Sequence, residues 1–173
     1  VFQDTFLFKQ SIRDNIRMGN PDATEEQVIA AAKAARCHDF ISALQNGYET
    51  RIGEMGVKLS GGEKQRISIA RMILKNAPIL ILDEAMAAVD SENERLIGEA
   101  IDALSKDKTI ITIAHHLNTI RDSDQIIVMD KGVILDAGSH EELMKRCDFY
   151  KDMVEAQNKV DRWNLKEVVT ENV

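Results

Sequence analysis

The sequence predicts an α/β chain: a mostly parallel sheet preceded by a helical portion. Three observations carry that prediction. The first is a Gly-rich turn, Leu59-Ser60-Gly61-Gly62-Glu63, leading into a run where Ile67, Ala70, Ile73 and Leu74 recur at helical spacing. Lys64, Arg66, Arg71 and Lys75 are expected on the opposite, polar face, and Pro78 is expected to stop the helix because proline has no amide hydrogen. The second is residues 79–82, four consecutive aliphatic residues, the pattern of a strand buried on both faces. Asp83 and Glu84 follow where that strand ends. The third is 109–114, a β-branched run read as another central strand, which ends at His115 and His116. In open α/β sheets the carboxyl ends of strands are where ligands bind.

The remaining elements follow in order. Residues 1–8 read as a strand end entering a loop, on which Gln3 is by itself a solvated side chain. Ile12 and Ile16 stand four apart, enough for a turn and a half of helix. Residues 21–24 are a turn, and Thr24 with Gln27 forms a capping box for an alanine-rich helix over 27–36. A short helix over about 39–44 ends near Asn46-Gly47, and 48–56 is a polar loop in which Glu54 alone is a solvated acid. Ser91 with Glu94 caps a helix whose buried face is Leu96, Ile97, Ala100, Ile101 and Leu104. Residues 125–129 and 133–137 flank Asp130-Lys131-Gly132, a hairpin signal, and Ser139 with Glu142 opens a further capped helix carrying His140 on its surface. Tyr150, Met153 and Val154 suggest a short amphipathic helix. The stretch after Lys159 has no firm pattern and is expected to be mobile or loosely docked.

Composition bounds the rest. A chain of 173 residues supports one domain with a real core but not obviously two. A net charge of -7 argues against a general basic surface for nucleic acid. No run approaches the ~20 apolar residues needed to span a bilayer, and no secretory signal is visible. The chain opens at Val1 and is expected to be a fragment. Cys37 and Cys147 have no Cys-x-x-Cys spacing and read as free thiols. His38 beside Cys37 falls short of the three or four ligands a zinc site needs.

Residues 59–65 resemble the signature motif of ATP-binding-cassette (ABC) proteins, and 79–84 resemble their Walker B strand with its added glutamate. The two stand in the family's order and at its usual separation. The resemblance extends to Gln3 as the Q-loop glutamine, to 11–16 and the Glu54 transmission loop of export-type cassettes, to Asp90 as the D-loop aspartate, and to His115 as the switch histidine. Met86 and Ala87 depart from it, standing where small hydroxyl residues are usual, and His116 stands where export-type relatives usually carry arginine.

The resemblance implies a partial P-loop NTPase (RecA-like) core joined to a helical subdomain. The cassette portion spans 1–160, with the helical subdomain at about 10–75 and the core portion at 76–147, followed by a 161–173 tail. It implies Mg-dependent ATP hydrolysis coupled to export, on the cytoplasmic face of a bacterial cell membrane. Asp83 and Gln3 hold Mg²⁺, Glu84 acts as general base, and His115 stabilises the γ-phosphate. Leu59, Ser60, Gly61, Gly62 and Glu63 grip the ATP of an opposed cassette, and Asp90 reaches across that dimer. The implied partners are a second nucleotide-binding domain and transmembrane domains, with no nucleic acid. No Gly-x-x-x-x-Gly-Lys-Ser/Thr occurs in the chain, so the P-loop strand and the N-terminal β-subdomain are expected to be missing and the fragment alone inactive. The 109–114 strand should then carry an unpaired edge that drives self-association. Two rival readings remain: a soluble ABC ATPase of DNA repair or translation, and a degenerate, non-catalytic cassette module.

Overall fold

The structure is a computed structural model that describes residues 6–53, 56–83, 91–114 and 117–170, with backbone alone at 91, 118 and 160–170. The chain divides into two compact units, Val1–Ile113 and Ala114–Val173.

In the first unit the helices are α1 (Ile12–Arg17), α2 (Glu25–Ala34), α3 (His38–Ala43), α4 (Gly61–Lys75) and α5 (Ser91–Ser105). The Thr24–Gln27 capping box forms as the spacing predicts. Helix α4 is the hub, because α1, α2 and α5 all pack on it. Ile12, Ile16, Val28, Ile41, Ile67, Ile69, Ile97 and Leu104 are fully buried around it. The approach of α1 is close enough that a Cβ on Gly19 would collide with the backbone carbonyl of Arg71.

Three-sided packing explains why α4 has no continuous polar face. Arg66 is buried, its guanidinium donating to Asn93 Oδ1 and lying 5.5 Å from the centre of the Phe40 ring. Leaving such a charge without partners would cost several kcal/mol, whereas a desolvated cation–π contact returns about 2. Arg71 is likewise drawn inward, to Asn15 of α1. Only Lys75 of the four expected surface cations is fully exposed. The helix ends on Asn76, whose left-handed backbone (φ 49°) lets its N–H bond back to Met72 and Ile73. Pro78 follows this cap and does not itself make the stop.

Strand β1 (Ile79–Asp83) pairs in parallel with β2 (Thr109–Ile113), Ile79 opposite Thr109 and Asp83 opposite Ile113. The parallel pairing agrees with the sequence, but burial on both faces does not occur. Leu80 and Leu82 point into the core, while Ile79 and Ile81 are each 57% exposed and every residue of β2 is exposed. Among the described residues nothing covers that outer face, and β2 has no strand partner other than β1.

In the second unit, β3 (Ile126–Asp130) and β4 (Val133–Gly138) form an antiparallel hairpin. Lys131 (φ 48°) and Gly132 (φ 79°) supply the two left-handed residues that a two-residue turn matched to strand twist requires. Helix α6 (His140–Arg146) starts at a Ser139–Glu142 capping box. His140 is not simply a surface residue: its Nδ1 sits 2.9 Å from the hydroxyl of Tyr150, which is only 1% exposed. Helix α7 runs over Asp148–Thr170, so the segment after Lys159 continues a helix where no pattern was legible. Neither glycine nor proline interrupts it.

Candidate functional site: the turn at the start of α4

Ser60 is the N-cap of α4, and two reciprocal bonds close the turn. The Glu63 N–H donates to Ser60 Oγ at 3.2 Å, and the Ser60 N–H donates to Glu63 Oε2 at 2.7 Å. This capping box satisfies two donors and leaves the amides of Gly61 and Gly62 outside it. The two glycines are not equivalent. Gly62 is buried, and a Cβ there would lie 2.7 Å from Asn93 Cγ and Oδ1, so any side chain at this position displaces Asn93. Gly61 is exposed, and among the described residues nothing lies within 4 Å of a Cβ there, so no described contact requires glycine. The Ser60–Gly61 turn therefore presents backbone donors at the positive end of a 15-residue helix to open space. Leu59, 8% exposed, anchors the turn from beneath.

Asp83 is half-buried at the carboxyl end of β1, opposite Ile113, the last residue of β2. Gln3, Glu54, Glu84, Asp90 and His115 themselves lie outside the described residues, as do Met86, Ala87 and His116. Among the described residues no group of three His, Cys, Asp or Glu gathers as a metal cage. Magnesium does not need one, since it is commonly held by one or two carboxylates with phosphate oxygens and water.

Cys37 and His38 are each engaged elsewhere. The Cys37 thiol donates to the Ala32 carbonyl at 3.3 Å, and His38 Nδ1 lies 2.9 Å from the Tyr48 hydroxyl. Burial pushes the Cys37 thiol up to about 12, the charge on Arg66 pulling only partly the other way, so it is neither a thiolate ligand nor a nucleophile at neutral pH. Sequence reasoning missed the Arg66–Asn93 contact. Ile67 and Ile69 on either side of Arg66's position were the available signal, because apolar residues that far around a helix leave no polar face for it.

The family profile described as ABC transporter matches residues 1–87, half of the chain. The chain belongs to the ABC transporter family. It is 57% identical over 158 residues to YgaD of Bacillus subtilis (strain 168), which is named as a multidrug export ATP-binding/permease protein. Similarly named proteins of Staphylococcus aureus are 51% identical over the same length. Each match covers 91% of this chain and 27% of the relative, so the chain spans about a quarter of the length of the curated relatives it matches. Among solved structures, a bacterial Atm1-family ABC exporter with ATP bound matches at a TM-score of 0.77 and 47% identity, over 90% of this chain and 27% of that one.

Proposed function

We propose that the chain is the later part of the ATP-hydrolysing domain of a membrane exporter, and that its exposed Ser60–Gly61 turn grips the phosphates of ATP held by an opposed cassette. The observation that carries this reading is the contrast between the two glycines. A Cβ on Gly62 would meet the Asn93 side chain, while among the described residues a Cβ on Gly61 meets nothing within 4 Å. At an open helix N-terminus the close approach of an external anion is a reason for a missing side chain. The similarity to named multidrug export proteins and to an exporter with ATP bound supports transport over the soluble DNA-repair or translation reading.

Asp83 supplies a hard oxygen for Mg²⁺, a donor that suits that ion and the carboxyl end of a parallel strand. Mg²⁺ held there with ATP would offset phosphate charge. Glu84 takes the proton of the attacking water, an effect typically worth about 10²–10⁴ in rate. Gln3 helps place metal or water, and His115 steadies the γ-phosphate, because phosphoryl transfer depends chiefly on positioning and electrostatics. Asp90 contacts the opposed cassette, and Glu54 relays nucleotide state to transmembrane domains. The protein acts at the cytoplasmic face of a bacterial membrane, although no described helix of this chain is itself long and apolar enough to cross one. The 10–75 stretch serves as the helical subdomain and 76–147 as the core portion.

No P-loop sequence lies within the 173 residues, so turnover requires that loop from outside them. The test is steady-state ATPase activity of the chain joined to a P-loop-bearing upstream region, beside its Glu84→Gln variant. Activity that collapses in Glu84→Gln is the expected result. ATP binding without turnover in either protein would establish the degenerate module instead.

A further inference from the structure

We propose that Asn93, the third residue of α5, is a positioning residue that holds the phosphate-facing turn of α4 in place from outside the motif; the proposal rests on the nucleotide-gripping reading above. Asn93 meets α4 at two levels. Its Oδ1 accepts from the Arg66 guanidinium, and its side-chain amide lies against the backbone of Gly62, where a Cβ would come within 2.7 Å of both Cγ and Oδ1. Gly62 and Arg66 are four residues apart on one helix face, so a single side chain spans the first turn and a half of α4. Arg66 is fixed from its other side by the Phe40 ring of α3, 5.5 Å away, and is only 5% exposed. A desolvated guanidinium loses much if its acceptor leaves, which makes the Arg66–Asn93 bond hard to break independently of the rest.

Connectivity gives this clamp a further property. Residues 84–90 join β1 to α5, and Asn93 lies in the first turn after them. The phosphate-facing turn is thereby tied to the start of α5 through the Asn93 side chain as well as through the packing of α4 on α5.

The experiment uses the chain joined to the upstream P-loop region of the Bacillus subtilis relative. Asn93→Ala, Asn93→Asp and Gly61→Asp are compared for kcat of ATP hydrolysis, for ATP affinity at a dilution where cassettes do not pair, and for melting temperature. Asn93→Ala is expected to lower kcat about tenfold, and to lower the melting temperature because it takes an acceptor from the buried Arg66, while leaving ATP affinity in the dilute protein near that of the parent. Asn93→Asp, whose carboxylate still accepts from Arg66, is expected to recover most of the rate, and Gly61→Asp to abolish it. Loss of kcat in Gly61→Asp with full activity in Asn93→Ala would overturn the clamp and leave the nucleotide-gripping reading standing. Full activity in both would overturn that reading and the clamp with it. A parallel fall of affinity and kcat in Asn93→Ala, or no recovery of kcat in Asn93→Asp, would reduce Asn93 to a packing residue and overturn the proposal.

Discussion

Arg71 on α4 holds Asn15 on α1 at two points, its Nε donating to the Asn15 backbone carbonyl at 2.7 Å and its Nη2 to Asn15 Oδ1 at 3.0 Å. Asn15 is fully buried, and its amide also bonds the carbonyls of Ser11 and Phe8 at 3.0 and 3.1 Å. Burial lowers the Arg71 pKa without neutralising it, so the bonds remain charge-assisted. Arg71→Met is expected to destabilise the first unit by about 2–3 kcal/mol, because it strips a buried amide and carbonyl of a charged donor. Urea denaturation followed by circular dichroism checks it, and a loss below half that range would show that water replaces the guanidinium.

The two signature glycines should separate cleanly by stability. Gly62→Ala meets the Asn93 side chain and is expected to cost about 1–3 kcal/mol. Gly61→Ala meets nothing and, by helix propensity, should be neutral or stabilising by up to about 1 kcal/mol. Thermal melts of the two variants side by side decide the point.

Ser60→Ala removes the acceptor for the Glu63 N–H and half of the capping box. A loss of about 1 kcal/mol is expected, and Ser60→Asp should retain most of the stability because it still caps. Chemical denaturation of the three proteins gives the ordering.

The Cys37 thiol has its pKa raised from 9.0 to about 12 on folding. A group raised in this way gives a contribution to stability that is intact below 9.0 and is lost as pH rises toward about 12, since the unfolded thiol ionises first. Burial also raises Tyr48, which adds to the same alkaline decline. Cys37→Ala is therefore expected to lose stability less steeply with alkaline pH than the parent. Denaturant midpoints across that window measure the difference, and iodoacetamide should label Cys37 rapidly only in denaturant.

Ile81 and Ile111 stand opposite each other in the parallel register, 57% and 50% exposed, with Ile79 and Ile113 continuing the strip. An exposed apolar face beside a β2 edge with no second partner among the described strands recruits other chains. Sedimentation of the isolated chain is expected to show concentration-dependent association that weakens in Ile81→Thr/Ile111→Thr. A parent that stays monomeric at all concentrations would contradict it.

What was legible in the sequence was chiefly local. Thr24 with Gln27 and Ser139 with Glu142 announced helix starts because the partners lie three residues apart and need nothing else. Ser60 and Glu63 carry the same signal, with two glycines between them that argued for a turn. The Lys131–Gly132 hairpin was equally local, whereas the inward Arg66 was not. Its acceptor is 27 residues away, and only the packing of α1, α2 and α5 around α4 turns that position inside. The aliphatic run at 79–82 gave the strand and its parallel partner but not which faces are covered, since covering depends on other segments. The candidate site was legible as a motif at 59–63 and as a carboxylate at 83; the different duties of Gly61 and Gly62 became visible only with Asn93 in place.

The hairpin tip has a practical consequence. Lys131 and Gly132 turn the chain in two residues, both exposed, and nothing lies within 4 Å of a Cβ on Gly132. Foreign sequence spliced there displaces no packed side chain and lengthens only a surface connection, whose closure grows costlier slowly with length. A fluorophore tag or a split-reporter half inserted between these residues should leave β3 and β4 paired, giving the second unit a handle far in sequence from the signature.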